Sequence, residues 1–87
     1  MDTGAYSEAV GLLYRSMLRG LRKVSKQSMA TPEEIADFFI ARDPSLRTKD
    51  LLAELVRINA YLEQPKILPE HVFMRYMTFI KGLIDRI

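Results

Sequence analysis

The chain has 87 residues, 48% of them hydrophobic and 28% charged, with a net charge of +2. A chain of this length holds one domain, residues 1–87, and buries roughly 60–65% of its unfolded surface; its balance of apolar and charged residues excludes disorder as the default. The absence of cysteine and the single histidine, His71, exclude a disulfide scaffold and any thiolate or histidine-rich metal site, and no apolar run approaches the ~20 residues that span a bilayer.

The first element is predicted as a helix from about Ala5 to about Gln27, with Asp2, Thr3 or Ser7 as candidate caps. Val10, Leu13, Tyr14, Met17, Leu18, Leu21 and Val24 recur at helical spacing and form one apolar stripe. Arg15, Arg19, Arg22 and Lys26 recur at intervals of four, three and four and form a basic stripe beside it. Tyr14 and Arg15 therefore sit on the seam between core and solvent. Gly11 and Gly20 each weaken the helix by about 1 kcal/mol relative to alanine, unless another surface must approach closely there.

The second helix has a sharp start. Thr31-Pro32-Glu33-Glu34 supplies an N-cap hydroxyl, proline at the first helical position and a glutamate at the third. Ile35, Phe38 and Phe39 give it an apolar face, and Asp43-Pro44 stops it. A third helix begins after Ser45 or Thr48 and presents Leu51, Leu55, Ile58 and Leu62, broadened by Leu52 and Val56, until Gln64-Pro65 ends it. The fourth runs from about 69 to 87, with Phe73, Tyr76, Met77, Ile80, Leu83, Ile84 and Ile87 on its main face. Val72, Met74 and Phe79 fall outside that stripe, so this helix is apolar around more of its circumference than one buried face requires. The expected fold is all-α: a three-helix core over about 5–64 with an additional fourth helix packed on or beside it. Either this helix completes the core of a small domain, or Met74 and Phe79 mark a face that meets a second partner.

Charge is uneven along the chain. Residues 1–30 carry five basic against two acidic side chains, and residues 31–64 carry four against seven. The first helix is thus the electropositive element, and an acidic partner would be steered to it.

Leu13-Tyr14-Arg15, followed by Met17-Leu18-Arg19 in a long first helix, resembles the LYR-motif family of small helical, mostly mitochondrial proteins. Phe38 and Phe39 occupy the region of the second helix where that family carries a phenylalanine; the family's arginine before it is replaced here by Glu33, Glu34 and Asp37. The resemblance implies a three-helix LYR-type bundle that binds the mitochondrial acyl carrier protein, whose recognition helix is acidic. It implies no cofactor of the chain's own. The 4'-phosphopantetheine arm and its acyl chain belong to the partner and enter the helical core. In those terms Tyr14, Arg15, Arg19, Arg22 and Lys26 would bind the partner, and Leu13, Met17, Leu18, Phe38 and Phe39 would line the acyl chain or simply the core. The larger assembly would be a respiratory-chain complex, the iron–sulfur machinery or the mitochondrial ribosome. Localisation in the matrix, or on the matrix side of the inner membrane, follows from the same resemblance. The amino terminus is neither basic at its start nor followed by an uncharged apolar stretch, so a secretory signal is not expected, and Asp2 and Glu8 argue against a cleavable transit peptide; the arginine-rich helix from Glu8 to Lys26 would serve as an uncleaved import signal.

The residues alone offer little for catalysis. His71 and Glu70 are neighbours that point apart on a helix. Glu33, Glu34 and Asp37 crowd a helix start, where they complement the macrodipole. No phosphate loop, nucleophile elbow or metal-ligand spacing is present, so the expectation is a protein that is not an enzyme. Two other readings stand beside the LYR-type adaptor. One is a generic helical structural subunit of a large protein or ribonucleoprotein complex, with a coincidental Leu-Tyr-Arg. The other is a small nucleic-acid-binding bundle, which the low net charge and the lack of exposed aromatics on the basic stripe disfavour.

Overall fold

A computed structural model describes residues 3–27, 31–46 and 48–87. They form four helices in chain order, α1 (Thr3–Ser25), α2 (Pro32–Arg42), α3 (Thr48–Glu63) and α4 (Glu70–Arg86), and no strand among the described residues. The all-α expectation therefore holds, with element boundaries within two residues of those read from the sequence at every helix. Of the candidate caps for α1, Asp2 lies outside the described residues, Thr3 is already helical and Ser7 is inside the helix.

The local causes are visible at the helix ends. At α2 the Thr31 hydroxyl accepts from the Glu34 amide at 3.3 Å, and the Glu34 carboxylate accepts from the Thr31 amide at 3.2 Å. This reciprocal box satisfies two donors that a helix start otherwise leaves open. At its other end the Asp43 amide donates to the Phe39 carbonyl at 2.8 Å before Pro44 turns the chain away. α1 stops earlier than expected, at Ser25 rather than Gln27. The Ser25 hydroxyl donates back to the Leu21 carbonyl at 2.7 Å and accepts from the Gln27 amide at 3.2 Å. Lys26 then adopts a left-handed backbone, φ 59°, and its amide closes on the Arg22 carbonyl at 2.8 Å. That is the geometry of a helix C-terminal turn, held here by a residue that pays ~1 kcal/mol or more for it.

The helices pack pairwise. Backbones approach most closely between α1 and α4 and between α2 and α3. Tyr6, near the start of α1, stacks on Phe73, near the start of α4, with ring centroids 4.1 Å apart and planes at 10°. Near the other end Gly20 receives Ile87, whose Cδ1 would lie 3.2 Å from any Cβ added to that glycine. The two contacts fix α1 and α4 as parallel neighbours, and Gly20 has the packing reason that its helix-weakening cost requires. Gly11 does not: an added Cβ there would meet Leu62 at an ordinary 3.7 Å.

The fourth helix is present as expected, and it completes the core. Tyr76, Ile80 and Leu83 are buried in the same cluster as Val10, Met17 and Phe39. Phe73, Met77, Ile84 and Ile87 of its main face pack partly buried against that cluster, and so do Val72 and Phe79 from outside it. Only Met74 remains well exposed on this helix. Two polar links tie its end to the α2–α3 corner, Arg42 donating to the Ile87 carbonyl at 3.2 Å and Arg86 pairing with Asp43 at 3.6 Å. On α1 and α3 the expected apolar stripes are trimmed at their edges, since Val24 and Val56 are exposed.

Candidate functional site

Leu-Tyr-Arg occupies the flank of α1 that faces α3. Tyr14 is only 7% exposed, whereas Arg15, Arg19 and Arg22 lie fully on the solvent side of the same helix. Burial pushes the Tyr14 phenol above its ordinary pKa, so the ring stays neutral and able to donate. None of the three guanidinium groups forms an ion pair or hydrogen bond with another described residue. They are a row of uncommitted guanidiniums, the side chain best suited to bidentate contacts with carboxylates and phosphates.

Between α1 and α3 runs an open cleft of about 510 Å³ whose walls include Tyr14, Arg15, Leu18, Asn59 and Leu62. It joins in one place an aromatic wall, an apolar floor and a cation at the rim. Leu12 stands beside it, 61% exposed. Glu8, on the same stripe as Arg15 two turns earlier, closes the far end with the opposite charge. The α3 contribution, Asn59 and Leu62, escaped the sequence reading because Leu62 was assigned to the core face and Asn59 to none. A helix-pair register, which a single helical wheel does not contain, is the signal that would have found them.

The other expected site residues divide. Met17 and Phe39 are fully buried core, and Leu13 is half-buried against it. Leu18 alone of the acyl- or core-lining set reaches the cleft. Phe38 is elsewhere: its ring meets Phe39 edge-on at 5.4 Å, lies under the Arg42 guanidinium at 5.3 Å, and borders a shallow groove with Ser25 and Asp37. Lys26 stands beyond the helix, and with its left-handed backbone it no longer continues the line of Arg15, Arg19 and Arg22. Met74 and Phe79, five residues apart, point in directions about 140° apart around α4. Met74 is exposed on the polar side, and Phe79 lines a groove against α3. They do not make one face.

Behind the cleft Tyr61 is buried, and its hydroxyl meets no partner at full hydrogen-bond geometry. Burial foremost, and then Tyr76, raise its pKa, while the nearby Ser7 hydroxyl acts in the opposite sense. Among the described residues no group of three or more His, Asp or Glu side chains is placed to hold a metal, and no helix is long and apolar enough to cross a membrane. No family model, no curated protein and no solved structure matches the chain.

Proposed function

We propose that this chain is a non-enzymatic, LYR-type adaptor of mitochondria that binds acylated acyl carrier protein along α1 and links it to a larger assembly. The observation that carries the proposal is the convergence of Tyr14, Arg15 and Leu18 on one cleft, beneath arginines that pair with no carboxylate among the described residues. An acidic recognition helix laid along Arg15, Arg19 and Arg22 would exchange water for charge-assisted hydrogen bonds. Arg15 would take the phosphate of the partner's arm, and the neutral Tyr14 would flank it. The arm would follow the cleft past Leu18 and Leu62. An acyl chain would go further only by parting Met17 from its neighbours, since that side chain and Phe39 are closely packed.

Arg15 makes the test. Losing one charge-assisted contact worth roughly 1.5–3 kcal/mol weakens carrier-protein binding about ten- to a hundredfold in Arg15→Ala, with helix content unchanged because alanine is a good helix former. Arg57→Ala, on the opposite flank of α3, controls for simple loss of positive charge. Copurification followed by intact-mass detection of a phosphopantetheinylated partner reads both. If Arg15→Ala retains the partner as well as the parent and Arg57→Ala do, the site is wrong and a plain structural subunit takes its place.

A further inference from the structure

On its other flank α3 faces α4 across a second groove, of about 470 Å³, floored by Leu46, Leu51 and Phe79. The groove exists because these two helices are not one of the closely packed pairs: α4 lies against α1, and α3 against α2. What bridges the gap is a charged clamp. Arg75 reaches from α4 to Glu54 on α3, Nε to Oε2 at 3.1 Å, and Arg57 touches the other oxygen of the same carboxylate at 3.4 Å. The Glu54 side chain is 13% exposed, whereas Arg57 and Arg75 are 60% and 55% exposed.

Two guanidiniums thus share one carboxylate, which leaves a surplus positive charge at that end of the groove. Lys66 extends it in the adjoining hollow lined by Arg57, Tyr61 and Tyr76, whose walls carry no acidic side chain. At the opposite end stands Asp50, two helical turns and ~10.5 Å before Arg57 along α3. The surface therefore reads acid, apolar, cation over two turns of helix. A complementary partner helix carries the reverse at the same rise: a basic residue, a bulky apolar anchor one turn on, and a carboxylate one turn further.

We infer that the α3/α4 groove is a second docking site, for an amphipathic partner helix whose apolar anchor lies on Leu51 and Phe79 and whose carboxylate takes the Arg57 guanidinium. This site is separate from the α1/α3 cleft, and it stands or falls independently of carrier-protein binding.

The probe is a side-chain-stapled, alanine-based peptide with Lys, Leu and Glu at positions i, i+4 and i+7, titrated into the isotopically labelled 87-residue chain with no carrier protein present. Amide shifts are expected around Leu51, Arg57 and Phe79. A second peptide with Lys in place of Glu should bind about tenfold more weakly to the parent. In Arg57→Glu the preference for the two peptides should invert, and in Arg57→Gln, which avoids the new repulsion with Glu54, it should vanish. Both variants should still bind the carrier protein as the parent does, which keeps this site's failure apart from that of the α1 site. Shifts confined to the α1 arginines, equal affinity for the two peptides, no binding by either, or an unchanged preference in Arg57→Gln each overturn the inference.

Discussion

α1 and α4 are alike in amphipathicity and lie side by side, yet their arginines have opposite fates. Arg75 and Arg86 on α4 are engaged with Glu54 and Asp43 across helix boundaries. Arg15, Arg19 and Arg22 on α1 face solvent with no ionic partner among the described residues. The apolar residues differ as well: α4 hides nearly all of its surplus within the domain, whereas α1 leaves Leu12 and Val24 in water beside its arginines. A charged group already matched inside a fold contributes orientation to that fold. One left unmatched at the mouth of a cleft is available to another molecule. That contrast, more than the tripeptide itself, directs attention to α1.

The comparison breaks first if α4 is peripheral. Ile80 is fully buried, so Ile80→Ala should lower the unfolding free energy by about 2–5 kcal/mol, read by urea denaturation. Met74→Ala, on the exposed side of the same helix, should stay within about 0.5 kcal/mol of the parent. Equal midpoints for the two would return α4 to the role of an appendage.

A smaller effect sharpens the electrostatic half. Arg19→Glu or Arg22→Glu should slow association with acyl carrier protein several-fold in low salt and much less near physiological ionic strength. Arg86→Glu should leave that rate nearly unchanged, because its position belongs to the α2–α4 corner. Stopped-flow rates that fall equally for all three substitutions would show that only total charge matters.

Gly11→Ala tests how far the cleft tolerates change. The new Cβ meets Leu62 at 3.7 Å, an ordinary contact, so the fold should gain about 0.5–1 kcal/mol from helix propensity. Gly20→Ala should gain less, since Ile87 must give way there. Reversal of that order in thermal melts would contradict the described register of α1 against its two neighbours.

The smallest effect is acid dependence at the corner. The Ser45 hydroxyl and amide, and then the Arg86 charge, hold the Asp43 carboxyl below its ordinary pKa. A carboxyl depressed in the folded state favours folding above its unfolded value, and that contribution disappears as pH falls through the folded one. Asp43→Asn should therefore slightly flatten the loss of stability below about pH 4, and leave the profile from pH 6 to 8 parallel to that of the parent.

Much of the fold was legible in the sequence because its signals are local. Thr31, Pro32 and Glu34 specify the start of α2 through contacts within one turn, and Asp43-Pro44 specifies its end the same way. Where the reading fell short, the cause was long-range. No periodicity on α4 announces that Phe73 will meet Tyr6 or that Gly20 will receive Ile87, so the pairing of α4 with α1 could not be read from either helix alone. Half of the site was legible for the same reason. Tyr14 and Arg15 are adjacent on one helix, so their relation to the seam follows from helical geometry. Asn59 and Leu62 come from a different helix and depend on packing register. Lys26 was lost from the stripe to a single left-handed residue, which its neighbours Ser25 and Gln27 favour only through hydroxyl and amide contacts at the helix end.

The parallel pairing of α1 with α4 brings together residues far apart in sequence, Tyr6 with Phe73 and Gly20 with Ile87. Such contacts close a far longer loop than the α2–α3 pair does and form after it. During synthesis much of the apolar stripe of α1 must wait until α4 has been translated, which is the interval in which nascent chains are captured or aggregate. Truncation within α4 would then be far more damaging than its distance from Tyr14 and Arg15 suggests, because it would leave α1 without its cover.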